Sequence, residues 1–277
     1  MTARSFELAP GVAIGPGAFP VIAGPCLAES EELVVATARL VAAIGARLGL
    51  RPVFKASFDK ANRSAAGAPR GPGLETGLAW LAAAARESGL PLLTDVHEPA
   101  QCEPAAAVCE VLQIPAFLCR QTDLVVAAAR TGRAINVKKG QFMAPGDMRR
   151  IVEKAAAAGN ERVFVTERGC SFGYHNLVVD MRSFAILHRD GIPAVFDVTH
   201  SLQLPGAAAD GSGGEREFAE PLARAAVAAG ADGLFLEVHP NPAAALSDRE
   251  TQLPPARAEA LLRSCLAQRH ALAGGNP

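Results

Sequence analysis

Phe54-Lys-Ala-Ser-Phe-Asp-Lys-Ala-Asn-Arg-Ser64 places three cations, Lys55, Lys60 and Arg63, in one short stretch, with Ser57, Asn62 and Ser64 between them as neutral hydrogen-bonding groups. Lysine offers a point charge and arginine a planar fork, so the set suits anionic oxygens such as those of a phosphate. A solvated basic loop would carry the same cations. The balance shifts because this is one of eight places where a short apolar run ends in a polar or reactive residue. Those residues are Cys26, Lys55, Asp95 with His97, Gln113, Lys138, Arg168, His200 and Glu237.

The apolar runs cover 21–23, 52–54, 91–93, 111–114, 134–137, 163–165, 194–196 and 233–236. Between and after them lie helical patterns over 31–48, 74–87, 101–109, 124–130, 144–158, 177–189, 215–229 and 255–273. Several open on capping residues such as Ser30 and several close at glycine, as at Gly49, Gly89, Gly132, Gly159 and Gly230. Strands apolar throughout, alternating with helices, predict a parallel sheet covered by helices. Eight such units predict a closed (β/α)8 TIM barrel in a single domain. No GxGxxG follows the first strand, which argues against an open doubly wound sheet. The barrel is expected over 20–265, with a hairpin-like extension over 1–20 and a tail over 266–277. The Gly-rich stretch 205–214 reads as a long loop after strand seven, either a mobile lid or an ordinary surface loop.

In such a barrel the strand ends share one face, and strands one, seven and eight become neighbours. The polar residues there sort into two chemistries. Lys55, Lys60, Arg63, Lys138 and Arg168 supply more positive charge than one phosphate needs. They point to a phosphorylated substrate with a carboxylate, or to two phosphorylated substrates. Cys26, His200 and Glu237, with Asp248 just beyond strand eight, form a mixed sulfur, nitrogen and oxygen set. Such a set suits Zn²⁺, Fe²⁺, Mn²⁺ or Co²⁺ better than Mg²⁺ or Ca²⁺. Asp95 among cations could orient a substrate hydroxyl or make a plain ion pair. His97 and His239 read equally as partners of the site or as satisfied loop histidines.

The chain has 277 residues, is 49% hydrophobic and 20% charged, and carries a net charge of -1, so it can bury a large core and is not built for non-specific nucleic-acid binding. No leader pattern opens the sequence and no apolar run is long enough to span a membrane, so a cytoplasmic protein is expected. The 6 cysteines are scattered without a CxxC pair, which suits reduced thiols. Apart from Cys26 they read as packing or incidental.

Several longer motifs resemble the 3-deoxy-D-manno-octulosonate 8-phosphate synthases. They are Ala23-Gly-Pro-Cys26, the Phe54–Ser64 stretch, Thr94-Asp-Val-His-Glu-Pro99, Pro115-Ala-Phe-Leu-Cys-Arg-Gln121, Asn136-Val-Lys-Lys139, Phe172-Gly-Tyr-His-Asn-Leu-Val-Val-Asp180, Phe196-Asp-Val-Thr-His200 and Glu237-Val-His-Pro240. The resemblance runs from about 20 to 265. It implies a homotetrameric (β/α)8 barrel in the cytoplasm that condenses phosphoenolpyruvate with D-arabinose 5-phosphate and releases phosphate, for lipopolysaccharide synthesis. It also implies the metal-dependent class, because metal-free members have Asn at the position of Cys26. Cys26, His200, Glu237 and Asp248 would then be ligands to a divalent metal. Lys55, Lys60, Gln113, Lys138 and Arg168 would hold phosphoenolpyruvate. Ser57 would join the binding residues, Asn62, Arg63, Ser64 and Asp95 would hold the pentose phosphate, and Arg120 would reach in from a neighbouring subunit. Lys55, Lys60, Lys138, Asp95 and His200 would carry the catalysis. Gly140 departs from the Pro that many members place after the Lys-Lys pair, and the ligand assignment does not depend on it.

Three rivals fit parts of the pattern. The related synthase acting on erythrose 4-phosphate shares the Gly-Pro-Cys start, but typically carries Lys-Pro-Arg-Thr where this chain has Lys60-Ala-Asn-Arg-Ser64. A Schiff-base aldolase could use Lys138, though it would not require the thiol-containing set. A non-catalytic barrel that binds sugar phosphates would have no use for all four ligands.

Overall fold

A computed structural model describes residues 3–63, 67–208 and 211–274. Eight parallel strands close into a barrel: β1 (Val21–Gly24), β2 (Val53–Lys55), β3 (Leu92–Asp95), β4 (Val111–Ile114), β5 (Ala134–Lys138), β6 (Val163–Glu167), β7 (Ala194–Asp197) and β8 (Gly233–Glu237). They pair in chain order, and β8 closes on β1 with Leu234 opposite Val21 and Glu237 opposite Gly24. The helices alternate with them: α1 (Glu31–Leu48), α2 (Leu74–Ser88), α3 (Cys102–Val108), α4 (Thr122–Arg130), α5 (Met148–Ala157), α6 (Arg182–Arg189), α7 (Ala219–Ala228) and α8 (Pro255–Gly274). The expected (β/α)8 architecture is therefore present.

Local chemistry sets the element ends. Ser30 Oγ accepts the Leu33 amide at 3.2 Å, and Glu31 and Glu32 place negative charge on the first turn of α1. Gly49 ends that helix in the left-handed conformation, φ 67°, where a side chain would be strained.

Strand pleating divides the core in two. Val21, Phe54, Leu92, Leu112, Ile135, Val163, Phe196 and Leu234 face outwards and pack with the helices. Ile22, Val53, Leu93, Val111, Ala134, Phe164, Val195 and Phe235 face the barrel axis and form a second cluster with Leu8, Val12 and Ile14. Those last three belong to an antiparallel hairpin, Phe6–Ala9 with Val12–Ile14, which plugs the bottom of the barrel. The extension expected over 1–20 thus contributes directly to the core.

One local expectation is corrected. The stretch 177–189 is helical only from Arg182, because Leu177–Val178 pairs with Cys170–Ser171 as a short ribbon and the Asp180 carboxylate takes the Arg182 amide at the start of α6. The long loop expected over 205–214 follows the seventh strand and carries pairing of its own: Gln203–Ala208 and Gly211–Gly214 form an antiparallel hairpin. Helix α8 runs from Pro255 to Gly274, one residue past the helical pattern expected over 255–273. Among the described residues, no helix is long and apolar enough to cross a membrane.

The approach of β1 to β2 is tight. A Cβ on Gly24 would run into the Lys55 carbonyl oxygen. Gly24→Ala is expected to cost about 1–3 kcal/mol, read as a lower midpoint in urea unfolding.

Candidate active site and metal-ligand cluster

The pleat that buries the lower layer also builds the site. Two residues beyond Val53, Leu93, Val111, Val195 and Phe235, on the same strand face, stand Lys55, Asp95, Gln113, Asp197 and Glu237. Lys138 and Arg168 follow Ala134 and Phe164 by four. All of these side chains are buried, so the upper end of the barrel is a layer of charge resting on an apolar floor.

The charges meet as pairs. Lys55 Nζ donates to Glu237 Oε1 and to the Cys26 carbonyl, both at 2.9 Å. Lys138 Nζ donates to Asp197 Oδ2 at 2.6 Å and sits 3.7 Å from the centroid of the Phe235 ring, a cation–π contact. Burial and the neighbouring Lys55 ammonium pull the Lys138 pKa below its ordinary value, although Asp197 opposes them. Burial works against the Asp197 charge, but His200 and Lys138 hold its carboxyl far below the usual range.

Cys26, His200, Glu237 and Asp248 converge, with one donor atom of each within 4.8 Å of the others. Cys26 Sγ lies 3.0 Å from Asp248 Oδ2, and His200 Nε2 lies 3.3 Å from Glu237 Oε1 and 3.7 Å from Asp248 Oδ2. Asp197 fixes the imidazole: its Oδ2 is 2.9 Å from His200 Nδ1 and its Oδ1 takes the His200 amide at 2.9 Å. With Nδ1 so occupied, Nε2 faces the cluster, as in carboxylate–histidine–metal arrangements. Burial, with Asp248 and Glu237 nearby, pushes the Cys26 thiol well up. Burial opposes the Asp248 charge, but His200 and Lys60 hold its carboxyl down at about 2. The buried Glu237 Oε2 has no hydrogen-bond partner among the described residues. A thiol, an imidazole and two carboxylates, with one oxygen left unpaired, fit a borderline divalent cation.

Above this cluster opens a cavity of about 520 Å³, lined by Lys55, Lys60, Asn62, Arg63, Asp95, His97, Gln113, Lys138, Arg168, His200 and Asp248. Several polar atoms lie buried there without hydrogen-bond partners among the described residues: Arg168 Nη1, Asp95 Oδ1, His97 Nδ1 and Gln141 Oε1. Burial works against the Asp95 charge, but a hydrogen bond from His97 Nε2 at 3.1 Å and the Lys60 ammonium hold its carboxyl well below the usual range. The Arg63 guanidinium is braced by the Pro69 and Leu246 carbonyls and by Ser247 Oγ.

Of the other expected site residues, Cys26 and Glu237 lie outside the cavity lining, against Asp248 and Lys55, and Ser57 accepts from Lys60 Nζ at 2.9 Å. Arg120 does not line the cavity; its carbonyl accepts from Lys154 Nζ at 3.2 Å. Ser64 lies outside the described residues. His239 stays apart from the ligand cluster, with Nδ1 accepting the Asn241 amide.

Sequence reading missed three contributors. Asp197 carried the signal of its spacing, two residues beyond inward-facing Val195. Gln203 links Arg168 Nη2 (2.5 Å) to Asp248 Oδ1 (2.7 Å), and Gln252 joins the Cys26 amide to the Ser247 carbonyl; neither carried a local signal.

Residues 3–271 match the DAHP synthetase I family. The chain is 56% identical over 243 residues to a 2-dehydro-3-deoxyphosphooctonate aldolase of Trichlorobacter lovleyi, covering 88% of this chain and 89% of that protein. It is 57% identical over 243 residues to the protein of that name from Nitratidesulfovibrio vulgaris, with the same coverage. To the one from Acidithiobacillus ferrooxidans it is 56% identical over 245 residues, 88% of this chain and 87% of the relative.

Removing Lys55 alone would take the closest cation from the buried Glu237 carboxylate. Lys55→Met is expected to lower the stability of the metal-free chain by about 3–5 kcal/mol, with Lys55→Met/Glu237→Leu recovering part of it, both read by urea unfolding.

Proposed function

The chain belongs to the DAHP synthetase I family, and we propose that within it the reaction is the condensation of phosphoenolpyruvate with D-arabinose 5-phosphate and water, giving 3-deoxy-D-manno-octulosonate 8-phosphate and phosphate. The observation that carries this reading is one cavity in which Lys60, Arg63, Lys138 and Arg168 converge beside a Cys-His-Glu-Asp cluster. The long identity with proteins named for this product supports it.

Phosphoenolpyruvate carries a phosphate and a carboxylate, which Lys55, Lys60, Lys138, Arg168 and Gln113 would hold. Arg168 Nη1, without a partner among the described residues, would donate to one of its oxygens. Asn62, Arg63 and Ser64 hold the pentose phosphate, with Ser57 behind Lys60, and Asp95 Oδ1 accepts a substrate hydroxyl. C3 of phosphoenolpyruvate attacks the aldehyde carbon, positive charge develops at C2, water adds there, and phosphate leaves by C–O cleavage. The cations fix both reactants in contact, which converts a bimolecular encounter into a positioned one. Lys55, Lys60, Lys138, Asp95 and His200 are the catalytic group of this proposal.

Cys26, His200, Glu237 and Asp248 would hold one divalent ion, Zn²⁺, Fe²⁺, Mn²⁺ or Co²⁺. Bound there, it would supply Lewis-acid polarisation of an oxygen at the cavity wall. In the full account the chain works in the cytoplasm as a homotetramer in which the partner's loop brings Arg120 to the cavity, and its product feeds lipopolysaccharide synthesis.

The test is phosphate release from phosphoenolpyruvate with arabinose 5-phosphate or erythrose 4-phosphate, before and after exhaustive chelation and metal return. Turnover with the pentose phosphate, reduced at least 100-fold by chelation and restored by a divalent ion, is expected. Preference for erythrose 4-phosphate would overturn the substrate assignment, and undiminished turnover after chelation would overturn the ligand assignment.

A further inference from the structure

Lys139 leaves β5 one residue after Lys138, so the pleat sends it the opposite way, out of the barrel towards the loops after β5 and β6. There it is fully buried. Its Nζ lies 3.0 Å from Cys170 Sγ, 3.4 Å from Glu167 Oε1, and 3.3 Å from each of the Gly140, Met143 and Gly169 carbonyls. Glu167, 1% exposed, also faces outwards; its Oε1 takes the Gly169 amide at 2.6 Å, and its Oε2 has no partner among the described residues. None of these residues lines the substrate cavity. A buried ammonium and carboxylate, unused by the reaction, thus stand behind one sulfur.

That sulfur differs from the rest. Cys26, Cys102, Cys109, Cys119 and Cys265 are buried, and Cys170 alone is partly exposed. Partial exposure beside a fixed cation is the setting in which cysteine acts as a nucleophile.

We propose that Cys170, backed by Lys139 and Glu167, is a modification site at which hydrogen peroxide oxidises the sulfur to a sulfenic acid. The sulfur attacks one peroxide oxygen: an S–O bond forms and the O–O bond breaks. Sulfur loses two electrons, peroxide gains them, and the departing hydroxide leaves as water with the thiol proton. The Lys139 ammonium is placed to stabilise negative charge on sulfur during attack. The product hydroxyl adds a donor to a cluster that already holds an unpaired buried acceptor, Glu167 Oε2. Cys170 lies two residues beyond Arg168, so the modification falls on the loop that leads out of the substrate site. The inference does not depend on the identity of the substrates.

The test is peptide mapping of the Zn²⁺-loaded full chain after hydrogen peroxide, with dimedone present to trap sulfenic acids. An adduct forming at Cys170 at least tenfold faster than at any other cysteine is expected, slowed at least fivefold in Lys139→Met and abolished in Cys170→Ser. Labelling that begins at another cysteine, or no label at Cys170, would overturn the proposal, as would an unchanged rate in Lys139→Met. The labelling order in the unsubstituted chain decides the matter even where Lys139→Met does not fold.

Discussion

The Lys55–Glu237 pair spans β2 and β8 across β1, with both side chains all but removed from solvent. A charge in that position cannot stand alone: losing water costs several kcal/mol per ion, which only a well-placed counter-charge offsets. The same constraint reaches around the barrel mouth. Lys138 is matched by Asp197, and Asp197 in turn holds His200. Each charge in the upper layer is therefore fixed by a neighbour, and the site is rigid because its electrostatics leave few alternatives.

What remains unpaired then becomes informative. Arg168 Nη1, Asp95 Oδ1 and Glu237 Oε2 are buried polar atoms without hydrogen-bond partners among the described residues. A donor at the cavity, an acceptor at the cavity and a spare oxygen among the four converging Cys, His, Glu and Asp side chains have the chemistry to meet an anion, a hydroxyl and a cation. Asp248, one of those four side chains, sits at φ 47°, a left-handed conformation uncommon for a residue with a side chain. The Gln203 amide and the Cys26 thiol hold its two oxygens in place, so strain in the loop after β8 is part of how the ligand set is assembled.

Much of this was legible in the sequence because a polar residue abruptly ends each apolar run, and strand ends are where a barrel keeps its chemistry. Lys55, Asp95, Gln113, Lys138, Arg168 and Glu237 were visible on that ground alone. Asp197 was overlooked because His200, three residues on, looked like the reactive end of the same run. The apolar residues of the ribbon at Leu177–Val178 suit a helix as well as a strand; the side chain of Asp180 decides where α6 begins. The hairpin after β7 was hidden by its glycines, which signal turns but not pairing. Gln203 and Gln252 act through contacts far along the chain, which no local pattern records.

The central claim is that Cys26, lodged between the Asp248 carboxylate and Ser247, is a metal ligand rather than a packed thiol. Its burial keeps the proton on sulfur in the metal-free protein, so metal capture must displace that proton. Loading the apo chain with Co²⁺ and recording its near-ultraviolet and visible absorption tests this directly. One equivalent of Co²⁺ should produce a thiolate-to-cobalt charge-transfer band that is absent from folded Cys26→Ser. A bound ion without that band, or a band that survives the substitution, would contradict the account.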